Sequence, residues 1–267
     1  MDQQSKVAVI GAGVMGEALI AALISSGVKP DHITISEKRE DRAQELISKY
    51  SIKAAALNAN ISDADALLLV VKPQDMASVL EEIKGSINPK AVGITFAAGK
   101  TISFISNRLG TSNPVVRVMP NTPTLVGEGM AAASMGAGVT AEQREFVLGF
   151  LGATGKVIEV KEELQDAVTA TSGSGPAYFF AFVEAMVAGA KELGLSEQDA
   201  TTLTIQTIVG AAKLLDESGK SATTLRENVT SPNGTTAAAL ASFENEKMKS
   251  IVAKAMKAAR DRSQELA

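Results

Sequence analysis

Apolar and polar positions alternate between two periods over the first 160 residues. Short, nearly continuous apolar runs stand at 6–10, 33–36, 66–71, 91–96 and 115–119. Between them, apolar residues recur at helical spacing over 14–26, 41–50, 74–84 and 102–109. Short strands buried on both faces, alternating with helices across brief connections, predict a doubly wound and mainly parallel sheet. The pattern loosens after Pro123. A strand at 129–134, a helix near 141–151 and a strand at 156–160 complete the sheet, with antiparallel strands expected at its edge.

Strand signals stop near residue 161. Helical periodicity then covers 163–172, 176–193, 197–217, 221–227, 235–245 and 248–265, punctuated by Gly194 and Gly219. Pro176 fits a first helical turn, and Ser172-Gly173-Ser174-Gly175 before it reads as a loop leading into a helix. No linker rich in Pro, Gly or Ser intervenes. The fold class is α/β: a doubly wound sheet domain over 1–160 and an all-helical domain over 161–267. The stretches 201–212 and 236–241 carry few charges around the helix, and a helix apolar on all sides is buried. A domain this short has little interior for several such helices, so self-association is expected.

Composition narrows the chemistry. Zero Cys removes disulfides, thiolate metal sites and Cys nucleophiles. A single His removes any multi-His metal centre and leaves His32 as the one histidine base, in what reads as a surface turn. A net charge of −4 and sparse aromatics argue against a nucleic-acid partner. The most apolar stretches are interrupted before membrane-spanning length, and the polar start of the chain lacks the form of a signal peptide. A cytoplasmic protein with no membrane partner is expected. The scattered Met residues read as core filler.

Gly11-Ala12-Gly13-Val14-Met15-Gly16 lies where the first strand ends and the first helix opens, the context a dinucleotide-binding GxGxxG requires. The first glycine allows the tight turn, the second lets backbone approach a pyrophosphate, and the third lets the helix pack close. Free N–H groups at the helix start then bind phosphate. The hexapeptide alone also arises by chance; its context favours the nucleotide. Glu37 stands about 20 residues past the last glycine, where an acid accepts a ribose 2′-hydroxyl. Ser36, Lys38 and Arg39 surround it and suit a 2′-phosphate, although cations in a first helical turn also serve as solvated surface. The turn leans to the phosphate. Three strand tails, Val70-Val71-Lys72-Pro73, Phe96-Ala97-Ala98-Gly99 and Met119-Pro120-Asn121-Thr122-Pro123, would meet at the edge where ligands sit in such sheets. Further on, Thr230-Ser231-Pro232-Asn233-Gly234-Thr235-Thr236 gathers hydroxyls and N–H groups at a helix start, which suits a carboxylate. By itself the same string reads as a turn and N-cap.

Taken in order, GxGxxG, VKP, AAG, RVMPNTP (117–123), SGSGPAY (172–178) and TSPNGTT (230–236) resemble the pyrroline-5-carboxylate reductase family over essentially the whole chain. The family usually shows TSPGGTT; Asn233 replaces the first glycine, and Asn tolerates positive φ, so the turn survives. The resemblance implies a Rossmann-type domain that binds NADPH, with NADH as the alternative. Its contacts would be Gly11, Ala12, Gly13, Val14, Met15, Gly16, Ser36, Glu37, Lys38, Arg39, Asn58, Val71, Lys72, Ala97 and Ala98, joined by Asn228 from the helical domain. The helical domain would interleave with a second copy into a homodimer, with dimers assembling as a pentamer of dimers.

The implied substrate is L-1-pyrroline-5-carboxylate, reduced to L-proline in the last step of proline biosynthesis. It would be held at the dimer interface by Ser231, Gly234, Thr235, Thr236 and Glu162. The N–H groups of Thr235 and Thr236 would take the carboxylate. The Thr236 hydroxyl would contact the ring nitrogen as an orienter, since an alcohol's pKa is far from the working pH. Protein position and electrostatics would support hydride transfer by the cofactor, with the imine reacting as its iminium or protonated from water. Two rival readings are a β-hydroxyacid or other imine reductase and a noncatalytic dinucleotide sensor. Hydroxyacid enzymes place a Lys in the first interdomain helix; residues 172–190 contain none, and Lys191 comes late.

Overall fold

Val, Ile and Leu dominate the short runs that become strands, and both faces of those strands are covered. A computed structural model describes residues 5–59 and 61–266; the polar start at 1–4 lies outside the described residues. The described strands are β1 (Val7–Ile10), β2 (Ile33–Ser36), β3 (Lys53–Ala54), β4 (Ala66–Leu69), β5 (Val92–Thr95), β6 (Val115–Met119), β7 (Gly129–Met135) and β8 (Gly155–Glu159). They form one sheet in the order β3-β2-β1-β4-β5-β6-β7-β8. The first six are parallel in the 3-2-1-4-5-6 order of dinucleotide-binding folds. β7 is antiparallel to β6 and the edge strand β8 is parallel to β7, so both run opposite to the first six, as expected at this edge.

Helices α1 (Val14–Ser25), α2 (Glu40–Tyr50) and α5 (Ala141–Gly152) contribute to the core on one face of the sheet, and α3 (Met76–Ile83) and α4 (Ile102–Leu109) to the core on the other. Alternation along the strands sorts the two cores. Val9, Leu68 and Ile94 meet Leu19 and Leu23 of α1 on one side; Leu67 and Leu69 meet Met76, Leu80 and Ile105 on the other. Each fully buried Leu or Ile stabilises by roughly 1.5–3 kcal/mol. Register aligns Ile10 with Ser36 and Leu69, and Leu69 with Thr95. The carboxyl ends of β1, β2, β4 and β5 therefore emerge at one edge.

The chain divides into two compact units, Met1–Pro176 with Ala259–Ala267, and Ala177–Ala258. This division differs from the 160/161 boundary read from periodicity. The periodicity marks only where strands end, whereas side chains beyond it belong to the sheet unit. The Gln165 amide, fully buried, donates to Arg117 O at 3.3 Å, Ala132 O at 3.1 Å and Ser134 Oγ at 2.9 Å. Nor is 172–175 a loop. Helix α6 (Gln165–Val168) runs into a wide π-type turn over Thr169–Gly173, and α7 (Gly175–Glu192) follows. A Cβ on Gly173 would lie 2.5 Å from Met119 Cε, the movable end of a flexible side chain.

Within the second unit, α7 is followed by α8 (Glu197–Glu217), α9 (Ala222–Asn228), α10 (Thr235–Asn245) and α11 (Met248–Glu265), of which α7 and α11 extend past its limits. Ser196 and Ser221 cap α8 and α9 by accepting from Asp199 N and Thr224 N, each at 3.1 Å. Gly194 and Gly219 adopt φ of +99° and +68° as the preceding helices end, the left-handed conformation that glycine takes without strain.

Candidate functional site

The glycine loop divides its labour as the motif requires. Gly11 has φ +89°, and a Cβ there would press on the Val70 carbonyl at 3.1 Å. A Cβ on Gly16 would lie 2.4 Å from Gly11 O, so α1 approaches the strand as only glycine permits. A Cβ on Gly13 would meet nothing within 4 Å, which leaves open space beside the backbone. The first turn of α1 closes with Glu17 N–H on Gly13 O at 2.9 Å. The N–H groups of Val14, Met15 and Gly16 precede that bond and are available to an anion.

A crevice of about 460 Å³ opens over this loop. Gly11, Gly13, Ser36, Glu37, Lys38, Arg39, Val71 and Lys72 line it, so eight of the residues expected around a cofactor come together. Ala12 and Gly16 are buried beneath it, Met15 is partly buried, and Val14 is exposed at the helix start. Strand β4 ends at Leu69, before the expected 71, and frees Val70 and Val71 for the lining. Asn58 is exposed and is not among the lining residues; Ala55, Ala56 and Leu57 supply that wall. Ala97 and Ala98 follow β5 at the same sheet edge, Ala97 buried and Ala98 half-buried.

Charge at the ribose turn is arranged by the backbone. Glu37 accepts from Ala12 N–H and Arg39 N–H, both at 3.0 Å. Its carboxylate is 13% exposed, while the Arg39 side chain is 62% exposed, with Nε 4.0 Å from Glu37. An acid suited to ribose hydroxyls and a cation suited to a phosphate are thus both present. A nicotinamide dinucleotide fits this set: open space at Gly13, N–H groups at a helix start and a mixed-charge ribose turn.

Glu162 is half-buried beside the start of α4. Its Oε1 accepts from Ile102 N–H at 2.6 Å, at the start of α4, and lies 3.7 Å from Arg117 Nη1. Arg117 is 6% exposed and also pairs with Asp166 at 3.0 Å. One oxygen of Glu162 is therefore committed to a helix start and a buried cation. Asn121, which sequence reading placed only in a strand tail, is a buried tie. Its Nδ2 donates to Ser172 O at 3.1 Å and its Oδ1 accepts from Met130 N–H at 2.8 Å. Its place between two prolines marked a turn but not these partners.

In the second unit, the 230–236 loop is a tight turn. Gly234 N–H reaches Ser231 O at 3.1 Å, and Asn233 adopts φ +62°, the left-handed conformation anticipated for it. A Cβ on Gly234 would lie 2.4 Å from Ser231 Oγ. Gly234 caps α10 without a side-chain bond, and the first helical bond runs from Ala238 N–H to Gly234 O at 3.1 Å. The N–H groups of Thr235 and Thr236 stand ahead of it, as a carboxylate site requires. Ser231 and Thr235 are exposed and Thr236 half-buried; Asn228, exposed, ends α9.

Comparison with known proteins agrees with this layout. Residues 162–266 match the family model for pyrroline-5-carboxylate reductase dimerisation, and residues 6–99 match that for NADP oxidoreductase, coenzyme F420-dependent. The pyrroline-5-carboxylate reductase of Corynebacterium melassecola is 41% identical, covering 97% of this chain and 98% of its own. That of Pseudomonas aeruginosa is 40% identical over 98% and 97%. Among solved structures, a pyrroline-5-carboxylate reductase from Coxiella burnetii has a TM-score of 0.91 at 34% identity, covering 99% of both chains. The Plasmodium falciparum enzyme with NADP bound has a TM-score of 0.89 at 29% identity, covering 100% of this chain and 99% of its own. With full-length identity of this order and both halves of the fold accounted for, the chain belongs to the pyrroline-5-carboxylate reductase family of NAD(P)-dependent oxidoreductases.

Proposed function

We propose that this protein reduces L-1-pyrroline-5-carboxylate to L-proline with NADPH, accepting NADH less well, as a cytoplasmic homodimer that assembles as a pentamer of dimers. The observation that carries the reading is the glycine loop, open only at Gly13, set in a chain related along its full length to these reductases. Bound nicotinamide supplies the hydride that turns the imine into an amine. The N–H groups of Val14, Met15 and Gly16 hold the pyrophosphate, and Ser36, Lys38 and Arg39 hold a 2′-phosphate. Glu37, already anchored on two backbone N–H groups, accepts ribose hydroxyls and keeps NADH usable. Asn58, Ala97, Ala98 and Asn228 complete the cofactor contacts.

At the 230–236 loop, the N–H groups of Thr235 and Thr236 bind the substrate carboxylate, with Ser231 and Gly234 shaping the turn. The Thr236 hydroxyl orients the ring nitrogen, and no side chain there serves as an acid near neutral pH. Glu162, one oxygen of which is held at the start of α4, also contacts the substrate. The domain of 161–267 carries the dimer contacts, in keeping with the dimerisation model that matches 162–266. Among the described residues no helix is long and apolar enough to cross a membrane.

The test is turnover of synthetic pyrroline-5-carboxylate with each cofactor, in wild type and in Thr236→Ala. Wild type should turn over with a higher kcat/KM for NADPH. Thr236→Ala should lower kcat/KM for the imine by about ten- to several-hundred-fold, the effect of one positioned hydrogen bond, with NADPH binding unchanged. Full activity in the variant would reduce the loop to a helix cap.

A further inference from the structure

Ala12, between the first two glycines of the loop, is fully buried, and both its polar backbone groups are claimed by side chains from the β2–α2 segment. Its N–H donates to Glu37 Oε2 at 3.0 Å, and its carbonyl accepts from Arg42 Nε at 3.2 Å. Arg42 lies on α2, is 11% exposed, and has a partner at each of its three guanidinium nitrogens. Its Nη1 donates to Glu45 at 2.8 Å and its Nη2 to Glu17 of α1. Glu17 is fixed in turn by Lys49 Nζ at 2.8 Å and Tyr50 Oη at 3.0 Å. A guanidinium held on two carboxylates has little freedom to turn, so the direction of its Nε–H is set by α1 and α2 together.

That direction matters through the planarity of the peptide bond. In a trans peptide the carbonyl and the following N–H point opposite ways. Drawing the Ala12 carbonyl toward Arg42 therefore turns the Gly13 N–H away from α2. Gly13 lines the crevice and has open space beside it. Building on the reading that this crevice takes a nicotinamide dinucleotide, we propose that Arg42 is a positioning residue for cofactor binding: it holds the Ala12–Gly13 peptide so that the Gly13 N–H faces the pyrophosphate. Arg42 does not touch the cofactor; its effect passes through one peptide plane. It acts on the part common to NADPH and NADH, unlike Lys38 and Arg39, which act on the 2′-substituent.

The experiment compares Arg42→Met, Arg42→Lys and Glu17→Gln with wild type in the full-length enzyme. It reads Kd by NADPH and NADH fluorescence, KM and kcat with both cofactors, and Tm. Arg42→Met should raise Kd and KM about ten-fold for NADPH and NADH alike, leave kcat within about two-fold, and keep the ratio of the two cofactors. Arg42→Lys, the variant to read if Arg42→Met does not fold, should show most of the same rise, because one ammonium cannot satisfy both carboxylates and the Ala12 carbonyl. Glu17→Gln, which keeps an oxygen acceptor for Arg42, should show a smaller rise. A lower Tm with unchanged Kd and KM would overturn the proposal and leave Arg42 as a staple between helices. A loss confined to NADPH would also overturn it and move Arg42 to the 2′-phosphate site. Wild type binding neither cofactor would overturn the dinucleotide reading itself, and the positioning role with it.

Discussion

Leu19, Ile35, Leu68 and Ile94 are fully buried in the sheet unit, whereas Phe179, Phe180, Leu203 and Val209 of the helical unit are each more than half exposed. Within Ala177–Ala258 only Ala200 and Thr204 are buried among the described residues. Both units contain enough apolar side chains for a core, but one chain closes only the first. Apolar surface of that extent on an isolated chain marks an association face. The residues matching the dimerisation model include this whole unit, so the partner that closes it is a second copy. The sheet unit closes its core within one chain; the helical unit does not.

The sharpest way to break that comparison is Phe180→Asp. The side chain is 63% exposed, and a charge at such a place on a closed monomer changes stability by about 0.5 kcal/mol or less. Here it should abolish the dimer in sedimentation and reduce turnover to background. An active dimer in the variant would mean that the exposed face is ordinary surface.

The same contrast explains what was legible in the sequence. In the sheet unit, strands and helices announced themselves because each buries its apolar residues within the chain, and β2, α4 and β6 fall at the residues expected. Lys53–Ala54 escaped notice because a two-residue strand of exposed side chains has no apolar period. In the helical unit the helices were equally plain, and α8, α10 and α11 match, since periodicity reports an apolar face whoever covers it. The glycine loop and the ribose turn were readable because short motifs carry backbone chemistry. Arg42 on Ala12, Gln165 under β6 and β7, and Glu162 on α4 were not, because each depends on segments far apart in the chain. Glu162 shows the cost most directly: the place near substrate that the resemblance implies says nothing of Ile102 N–H, a partner visible only in the geometry.

Within the sheet unit, two glycines sharpen the distinction between folding and binding. Gly16→Ala forces a Cβ to within 2.4 Å of backbone and should destabilise by about 1–3 kcal/mol in denaturant unfolding, as overpacking does. Gly13→Ala meets no atom and should leave stability within about 0.5 kcal/mol, yet raise cofactor KM by filling the space beside the pyrophosphate. Equal Tm losses in both would deny that Gly13 is kept open for a ligand.

A smaller effect separates the two ends of the cofactor. Replacing Lys38 and Arg39 with Ala should weaken NADPH binding by about 1–3 kcal/mol, the range for charged hydrogen bonds, and leave NADH nearly unchanged. The exposure of Arg39 places its share at the lower end. Titration of both cofactors into the double variant checks this. Equal losses would shift recognition of the ribose to Glu37 alone.

The smallest effect at working pH concerns the network behind the loop. Lys49 foremost, with Arg42 and Tyr50, holds the Glu17 carboxyl down at about 2 against an ordinary 4.5. Depression in the folded state means that the ionised form favours folding. The contribution is complete above the unfolded value and is lost as pH falls from about 4.5 toward 2. Lys49 is 56% exposed, so solvent reduces the contribution to about 1–2 kcal/mol. Glu17→Gln should therefore be less stable than wild type by that amount in urea at pH 7, and the gap should fall below half its value by pH 3. The helical unit offers the control: the Glu197 carboxyl is also lowered, by Lys191, but that pair is solvated, so Glu197→Gln should change stability little at either pH. A Glu17 gap that stayed constant with pH would show that its carboxylate is no better anchored than Glu197, and that the cofactor loop rests on packing rather than on charge.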